Sequence, residues 1–341
     1  ASILALPKVG TARAWILISD ILAEKISLEH ISSQEIFERA QIRWPNIMTK
    51  TSFSNYEKER GALIGCYLKG NQSGIEQVSF FDSNYPTSLR LVKNPPLLLH
   101  YKGDLNALQD FPSLALIGTR KPLRYTEVVG KRIAAQLVEK GIHLVSGLAE
   151  GCDAIAHRAA VNAGKATTAI VGHGLHTIFP RVHKDLSQSI LEAGGLLLSE
   201  FQWGVEPHKG LFVRRDYLQA RVSHATFVLE TSLSGGSLHA MDETIKINRP
   251  LFALSYPDQS PLLTESGVMS KIAGNKKYIT DNQAIPILNR ENLTKCIETV
   301  RSSYQNISQI DTACSAPNDQ DIVREQIENN LAENSIQQSL F

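Results

Sequence analysis

Apolar residues recur at helical spacing through the first 75 positions. Leu17, Ile18, Ile21 and Leu22 form one set, and Ile36, Phe37 and Ala40 another, the i, i+3, i+4 stripe of amphipathic helices. Residues 76–110 carry turn chemistry instead: Asn84-Tyr85-Pro86, Asn94-Pro95-Pro96 and Lys102-Gly103-Asp104. From 111 to 290 short apolar runs alternate with helix-like stretches. The runs are 114–117, 142–145, 168–171, 196–198, 225–229 and 251–254, and the first three helical patterns between them span 128–138, 155–163 and 186–193. Continuous apolar strands separated by helices predict an α/β fold, a mainly parallel, doubly wound sheet covered on both faces. The divisions predicted are a helical module at 1–75, the α/β domain at 76–290, and a short helix with an acidic tail at 291–341.

Composition sharpens this picture in two places. Every apolar run is far shorter than the roughly 20 residues a membrane span needs, and Ala1-Ser2-Ile3-Leu4 lacks a basic signal region. The four cysteines, Cys66, Cys152, Cys296 and Cys314, are scattered without CxxC or Cys/His metal spacing. The expectation is a cytoplasmic chain with reduced thiols and no structural metal. The second place is charge. The whole chain of 341 residues carries +1, but 303–341 holds six acids and one base, Arg324, a charge of −5. Residues 1–302 therefore carry +6, which keeps an anionic partner in view. The polar tail has the composition of a disordered segment or of one short helix around 321–331.

Strand ends hold the candidate chemistry, because open α/β sheets bind ligands beyond the carboxyl ends of their strands. Four such ends are Gly118-Thr119-Arg120, Ser146-Gly147, Gly172-His173-Gly174 and Ser234-Gly235-Gly236-Ser237. Glycine there is ordinary turn chemistry taken singly. Four together, with hydroxyls and an arginine, predict an anion site in which amides and a guanidinium grip phosphate. Neither a complete GxGxxG fingerprint nor a Walker loop is present: Thr177 stands where the third glycine would be.

Leu116-Ile117-Gly118-Thr119-Arg120, followed by Ser146-Gly147-Leu148-Ala149-Glu150-Gly151-Cys152-Asp153-Ala154-Ile155-Ala156-His157, resembles the DprA/Smf family of DNA-processing proteins. The likeness continues through Gly174-Leu175, Phe179-Pro180, Ser199-Glu200, Phe212, Arg215 and Glu230 with Ser234–Leu238, and covers roughly 78–285. It implies an extended Rossmann-like domain that binds single-stranded DNA, forms a homodimer and helps load a RecA-type recombinase, without cofactor or metal and without catalysis. Carried over by position, Gly118, Thr119 and Arg120 would hold a phosphate, with Ser146, Gly147 and Ser234 to Ser237 beside them. Arg181, His183 and Lys184 would line the same basic pocket. Phe179 is placed either to stack on a base or to pack in the core.

The chain also departs from the family. The Phe-Pro-x-Arg-Asn-Arg run reads Phe212-Val213-Arg214-Arg215-Asp216-Tyr217, so Tyr217 replaces an arginine and Arg214 supplies a charge earlier. Asp153 and His157 share a helix face, as an acid/base pair or as a buried structural contact; the resemblance favours the second. Two flanking motifs add partners. Leu6-Pro7-Lys8-Val9-Gly10-Thr11-Ala12 resembles the hairpin of a DNA-binding helix-hairpin-helix, or a helical module of that shape without DNA. Gln337, Leu340 and Phe341 resemble a sliding-clamp-binding peptide at a flexible tip, or arise by chance in a Gln-rich tail. An acidic tail can instead fold over a basic site and weaken non-specific binding.

The alternative reading is a nucleotide sensor or a phosphoribohydrolase of the same Rossmann-like superfamily. Those hydrolases use Pro-Gly-Gly-x-Gly-Thr-x-x-Glu, of which Ser234-Gly235-Gly236-Ser237-Leu238-His239 keeps only the paired glycines.

Overall fold

A computed structural model describes residues 2–24, 26–257 and 268–314, the last five by backbone alone. The region around 321–331 and the peptide Gln337, Leu340, Phe341 lie outside the described residues.

Two compact units emerge. The first takes in Ala1–Ser73 and Lys93–Leu97. Its helices are Thr11–Ala23, Ser33–Arg43, Pro45–Met48 and Phe53–Gln72. Ser32 and Ser52 start two of them, their hydroxyls accepting from the Glu35 and Asn55 amides at 3.1 and 3.2 Å. Leu17, Ile21, Phe37, Met48 and Tyr56 are buried at its centre, with Phe37 and Tyr56 stacked at 5.3 Å. The Trp15 indole donates to the Pro95 carbonyl at 2.9 Å, tying in the short segment 93–97. The Leu6–Gly10 stretch turns into the first helix with Leu6 and Val9 buried and Lys8 at φ 56°.

The second unit is built on nine strands: β1 Glu76–Ser79, β2 Leu98–Gly103, β3 Ser113–Ile117, β4 His143–Ser146, β5 Thr167–Ile170, β6 Leu196–Ser199, β7 Ala225–Val228, β8 Leu251–Leu254 and β9 Ile285–Ile287. They lie in the order β1-β2-β6-β5-β4-β3-β7-β8-β9. β3 to β9 are parallel throughout, while β2 runs antiparallel beside β6 and β1 antiparallel beside β2. The sheet is therefore α/β and mainly parallel, as the apolar pattern predicts.

Alternate residues of each central strand feed opposite layers. Leu114 and Leu116 pack with Ile133, Leu137, Ile155 and Ala156 from the helices Arg124–Glu139 and Cys152–Asn162. Ala115 and Ile117 pack on the other face with Ala220, Ala240 and Met241 from the helices Lys209–Val222 and Ser237–Lys246. Winding runs outward from β3 through β4, β5 and β6, then crosses back to β7. The carboxyl ends of β3 and β7 thus flank the point where the winding reverses.

Two expectations are corrected. The segment read as turns, 76–110, contains β1 and β2; strand signal was hidden by the prolines that precede β2 and by β1's exposed edge. The polar tail does not begin at 303, since the helix Arg290–Cys314 continues past that point. Polar groups hold it there: Ser303 Oγ donates to the His224 carbonyl at 2.8 Å and Tyr304 Oη to the Gln109 carbonyl at 3.0 Å. Among the described residues no helix is long and apolar enough to cross a membrane, and no cluster of His, Cys, Asp and Glu could hold a metal.

Candidate nucleic-acid interface

The loops that leave β3 and β7 are joined by backbone bonds. The Thr119 amide donates to the Glu230 carbonyl at 2.8 Å, and the Cys152 amide to the Thr119 carbonyl at 3.1 Å. The approach is close enough that a Cβ on Gly151, itself at φ 76°, would strike the Thr119 carbonyl oxygen and stand 2.6 Å from the Arg120 carbonyl. Position 151 therefore requires glycine on two counts.

The loop after β4 serves a buried ion pair. Asp153 Oδ2 accepts from Arg215 Nη1 at 3.1 Å and from the Ala149 amide at 3.2 Å, and both charged side chains are 7% exposed. The guanidinium reaches Asp153 by passing over Gly147, where a Cβ would overlap Arg215 Nη1 and Cζ. The spacing from Gly147 to Asp153 thus exists to seat Arg215. His157 does not join this pair. It is fully buried and hydrogen-bonded through Nδ1 to Thr167 at 3.0 Å, and burial pushes it down to about 3. A neutral imidazole with that partner is a structural contact rather than half of an acid/base pair.

Above these loops opens a cavity of about 540 Å³, large enough for a nucleotide. Gly118, Thr119, Arg120 and Lys121 line it from β3, and Thr231, Ser232, Gly235, Gly236 and Ser237 from β7. Phe212, Arg215, Asp216 and Gln219 line it from the helix Lys209–Val222. The Gly236 and Ser237 amides have no partner among the described residues and stand at the N-terminus of Ser237–Lys246, which has no side-chain cap. Such amides favour an anion. Arg120, Lys121, Lys209 and Lys271 are exposed around the opening.

A second hollow of about 60 Å³ continues from the first, sharing Arg120, Ala149, Phe212 and Arg215 and adding Gly147, Glu150, Phe179 and Pro180. Its wall is aromatic. Phe179 and Phe212 stack at 5.7 Å and 29°, Phe179 is 41% exposed, and the guanidinium carbons of Arg120 and Arg215 lie 5.6 and 5.9 Å from the Phe212 ring. Cation and ring faces side by side form a platform on which a flat base can stack.

The carboxyls of the large cavity are perturbed. Burial pushes Asp216 up to about 6, against the pull of Arg215 at 3.2 Å. Burial also raises Glu230, whose Oε2 accepts from the Leu123 amide at 2.9 Å and from Thr126.

The structure gathers most of the residues expected at the site and leaves others outside. Gly118, Thr119, Arg120, Gly147, Phe179, Arg215, Gly235, Gly236 and Ser237 line one hollow or the other. Ser146 and His183 are placed otherwise than expected, both buried with bonds of their own: Ser146 Oγ donates to the Leu116 carbonyl at 2.7 Å, and His183 Nδ1 bonds the Leu148 carbonyl at 2.7 Å. Arg214 is held by Glu200 at 2.5 Å and packs over Phe201, away from either hollow. Arg181, Lys184 and Ser234 are exposed but line neither hollow. Lys121, Lys209, Asp216, Gln219, His239 and Lys271 are additional lining residues. Asp216 and Gln219, three apart beside Phe212 and Arg215, share one helix face, a spacing readable from the sequence once that helix is recognised.

Residues 76–298 match the model of a family described as DNA recombination-mediator protein A. Protein Smf of Escherichia coli is 37% identical over 177 residues, 52% of this chain and 47% of that protein. The DNA processing protein DprA of Streptococcus pneumoniae is 34% identical over 176 residues, 52% of this chain and 61% of that one. The chain spans about half the length of the curated relatives it matches. Among solved structures, DprA from Streptococcus pneumoniae superposes with a TM-score of 0.69 at 21% identity, over 86% of this chain and 95% of that one. A Helicobacter pylori DNA processing protein A, described for its single-stranded DNA binding mode, has a TM-score of 0.57 at 28% identity, over 67% and 97%.

Proposed function

Because this chain belongs to the DNA recombination-mediator protein A family, we propose that its cavity at the β3/β7 reversal binds single-stranded DNA. The observation that carries the reading is the continuity of a phosphate-suited cavity with the Phe179–Phe212 platform through Arg120. Amides of Gly236 and Ser237 and the forked Arg120 take phosphate oxygens. Lys121, Lys209 and Lys271 neutralise neighbouring phosphates, and Phe179 offers its face to a base. Duplex DNA cannot present an unstacked base to that ring.

Downstream of binding, the protein acts as a mediator that hands the strand to a RecA-type recombinase, as a homodimer, in DNA processing or repair in a reduced cytoplasm. It works by binding, and incubation with nucleoside monophosphates is expected to release no free base; release would favour the hydrolase reading. The direct test is photo-crosslinking of a single-stranded oligonucleotide carrying halogenated bases, with peptides mapped by mass spectrometry. Crosslinks at Phe179 or Phe212 are expected. Crosslinks confined to residues 1–73 would overturn the assignment of this site.

A further inference from the structure

Two acceptors among the residues that line the large cavity are buried and unfilled. Gln219 is 1% exposed, and its Nε2 donates to Asp216 Oδ1 at 3.1 Å. That bond fixes the amide orientation, since the flipped amide would oppose oxygen to oxygen. It leaves Gln219 Oε1 buried without a partner. Asp216 Oδ2 receives no donor among the described residues, and Asp216 lines the same cavity as Gly236. A third acceptor, Glu230 Oε1, is buried unpartnered on the β7 side. Arg215 bonds Asp153 through Nη1 and stands 3.2 Å from Asp216 Oδ1 through Nε, a buried donor that makes no hydrogen bond, and it bonds neither Gln219 Oε1 nor Glu230 Oε1.

Buried unfilled acceptors are costly and mark a missing donor. We infer that Asp216 and Gln219 form a base-reading pair that selects guanine from a bound single strand. This rests on the reading of the cavity as the DNA site. Guanine alone among the four bases sets a ring N–H beside an exocyclic amine on one edge, two donors for the Gln219 oxygen and the Asp216 carboxylate. Thymine offers one N–H between two carbonyls that repel a carboxylate. Adenine and cytosine pair their amine with a ring nitrogen that is itself an acceptor. The phosphates on either side remain at Arg120 and the Gly236 and Ser237 amides.

The test is fluorescence anisotropy at pH 7.5 and fixed salt with three 20-mers: all thymidine, thymidine with one central guanine, and the same with hypoxanthine in its place. A single guanine suffices, because a strand held by its backbone can shift register until that base is seated. The guanine oligomer is expected to bind about tenfold tighter than all-thymidine, and hypoxanthine, which lacks the exocyclic amine, in between. In Asp216→Asn the preference collapses while all-thymidine binds more tightly, a carboxylate having left the anion site. Equal affinity of the parent for guanine and thymine oligomers overturns the inference and leaves the DNA site standing. A preference that survives Asp216→Asn overturns the role of this residue. Failure to bind any of the three overturns both this inference and the function on which it rests.

Discussion

Gly147→Ala tests how the site is built. The added methyl would occupy the space of the Arg215 guanidinium and stand 2.7 Å from Asp153 Oδ2. Arg215 must then leave, and a pair 7% exposed on both sides is broken. Breaking a buried pair costs about 3–5 kcal/mol, because an uncompensated charge stays behind. For a unit of this size each kcal/mol moves the melting midpoint by about 2–4 °C, so a fall of about 10 °C is expected. Arg215→Ala alone should cost a similar amount by stranding Asp153. In that background the same methyl meets only Asp153 Oδ2, the end of a side chain that has lost its partner, so Gly147→Ala adds under about 1 kcal/mol. The assay is urea unfolding of the four proteins, read as a double-mutant cycle. A Gly147→Ala protein within about 1 kcal/mol of the parent, or additive costs, would refute the packing argument.

Other outcomes follow from the same geometry. Burial lowers His100 and His143 to about 4 and His157 and His224 to about 3, so they stay neutral in the fold while the unfolded chain takes up protons below pH 6.5. Their contribution is whole above that pH and is lost as pH falls toward 4, at about 1.4 kcal/mol per pH unit for each histidine; an unchanged urea midpoint between pH 7 and 5 would contradict it. With Asp216 pushed up to about 6, protonation removes a negative charge from the cavity, so single-stranded DNA binds more tightly at pH 5.5 than at 7.5. That gain shrinks in Asp216→Asn, and an equal gain in both proteins would discount this carboxyl. Phe179→Ala should weaken binding by about 1–3 kcal/mol, the worth of one stacked base, whereas Arg214→Ala, whose side chain is held by Glu200, should change it less than twofold in the same titration. Equal losses would mean that the strand runs elsewhere.

Six strands and their parallel pairing were legible because each is a short apolar run buried on both faces, whereas their order in the sheet was not. β1 escaped because it is a mostly polar edge strand. The helix Lys209–Val222 escaped because Arg215 and Gln219 occupy buried positions where apolar periodicity needs apolar residues. At the site, Gly118, Arg120 and Gly235 to Ser237 were readable as strand-end chemistry. Ser146 and His183 were not distinguishable from ligand groups, since a hydroxyl or imidazole that bonds a distant carbonyl leaves no local pattern. The acceptors of Asp216 and Gln219 emerge only when their mutual bond is seen. Split by charge, the chain already pointed to an anionic partner, and the exposed cations at the cavity opening give that charge a location.

The most direct test of the central claim is the salt dependence of binding to a labelled single-stranded 20-mer, measured between 50 and 200 mM salt for the parent and Arg120→Ala, with a duplex of the same length alongside. The account predicts a clear preference for the single strand, a steep loss of affinity with salt, and an Arg120→Ala protein about tenfold weaker with a log-log slope smaller by about 0.7. An Arg120→Ala protein with the parent's affinity and slope would contradict it.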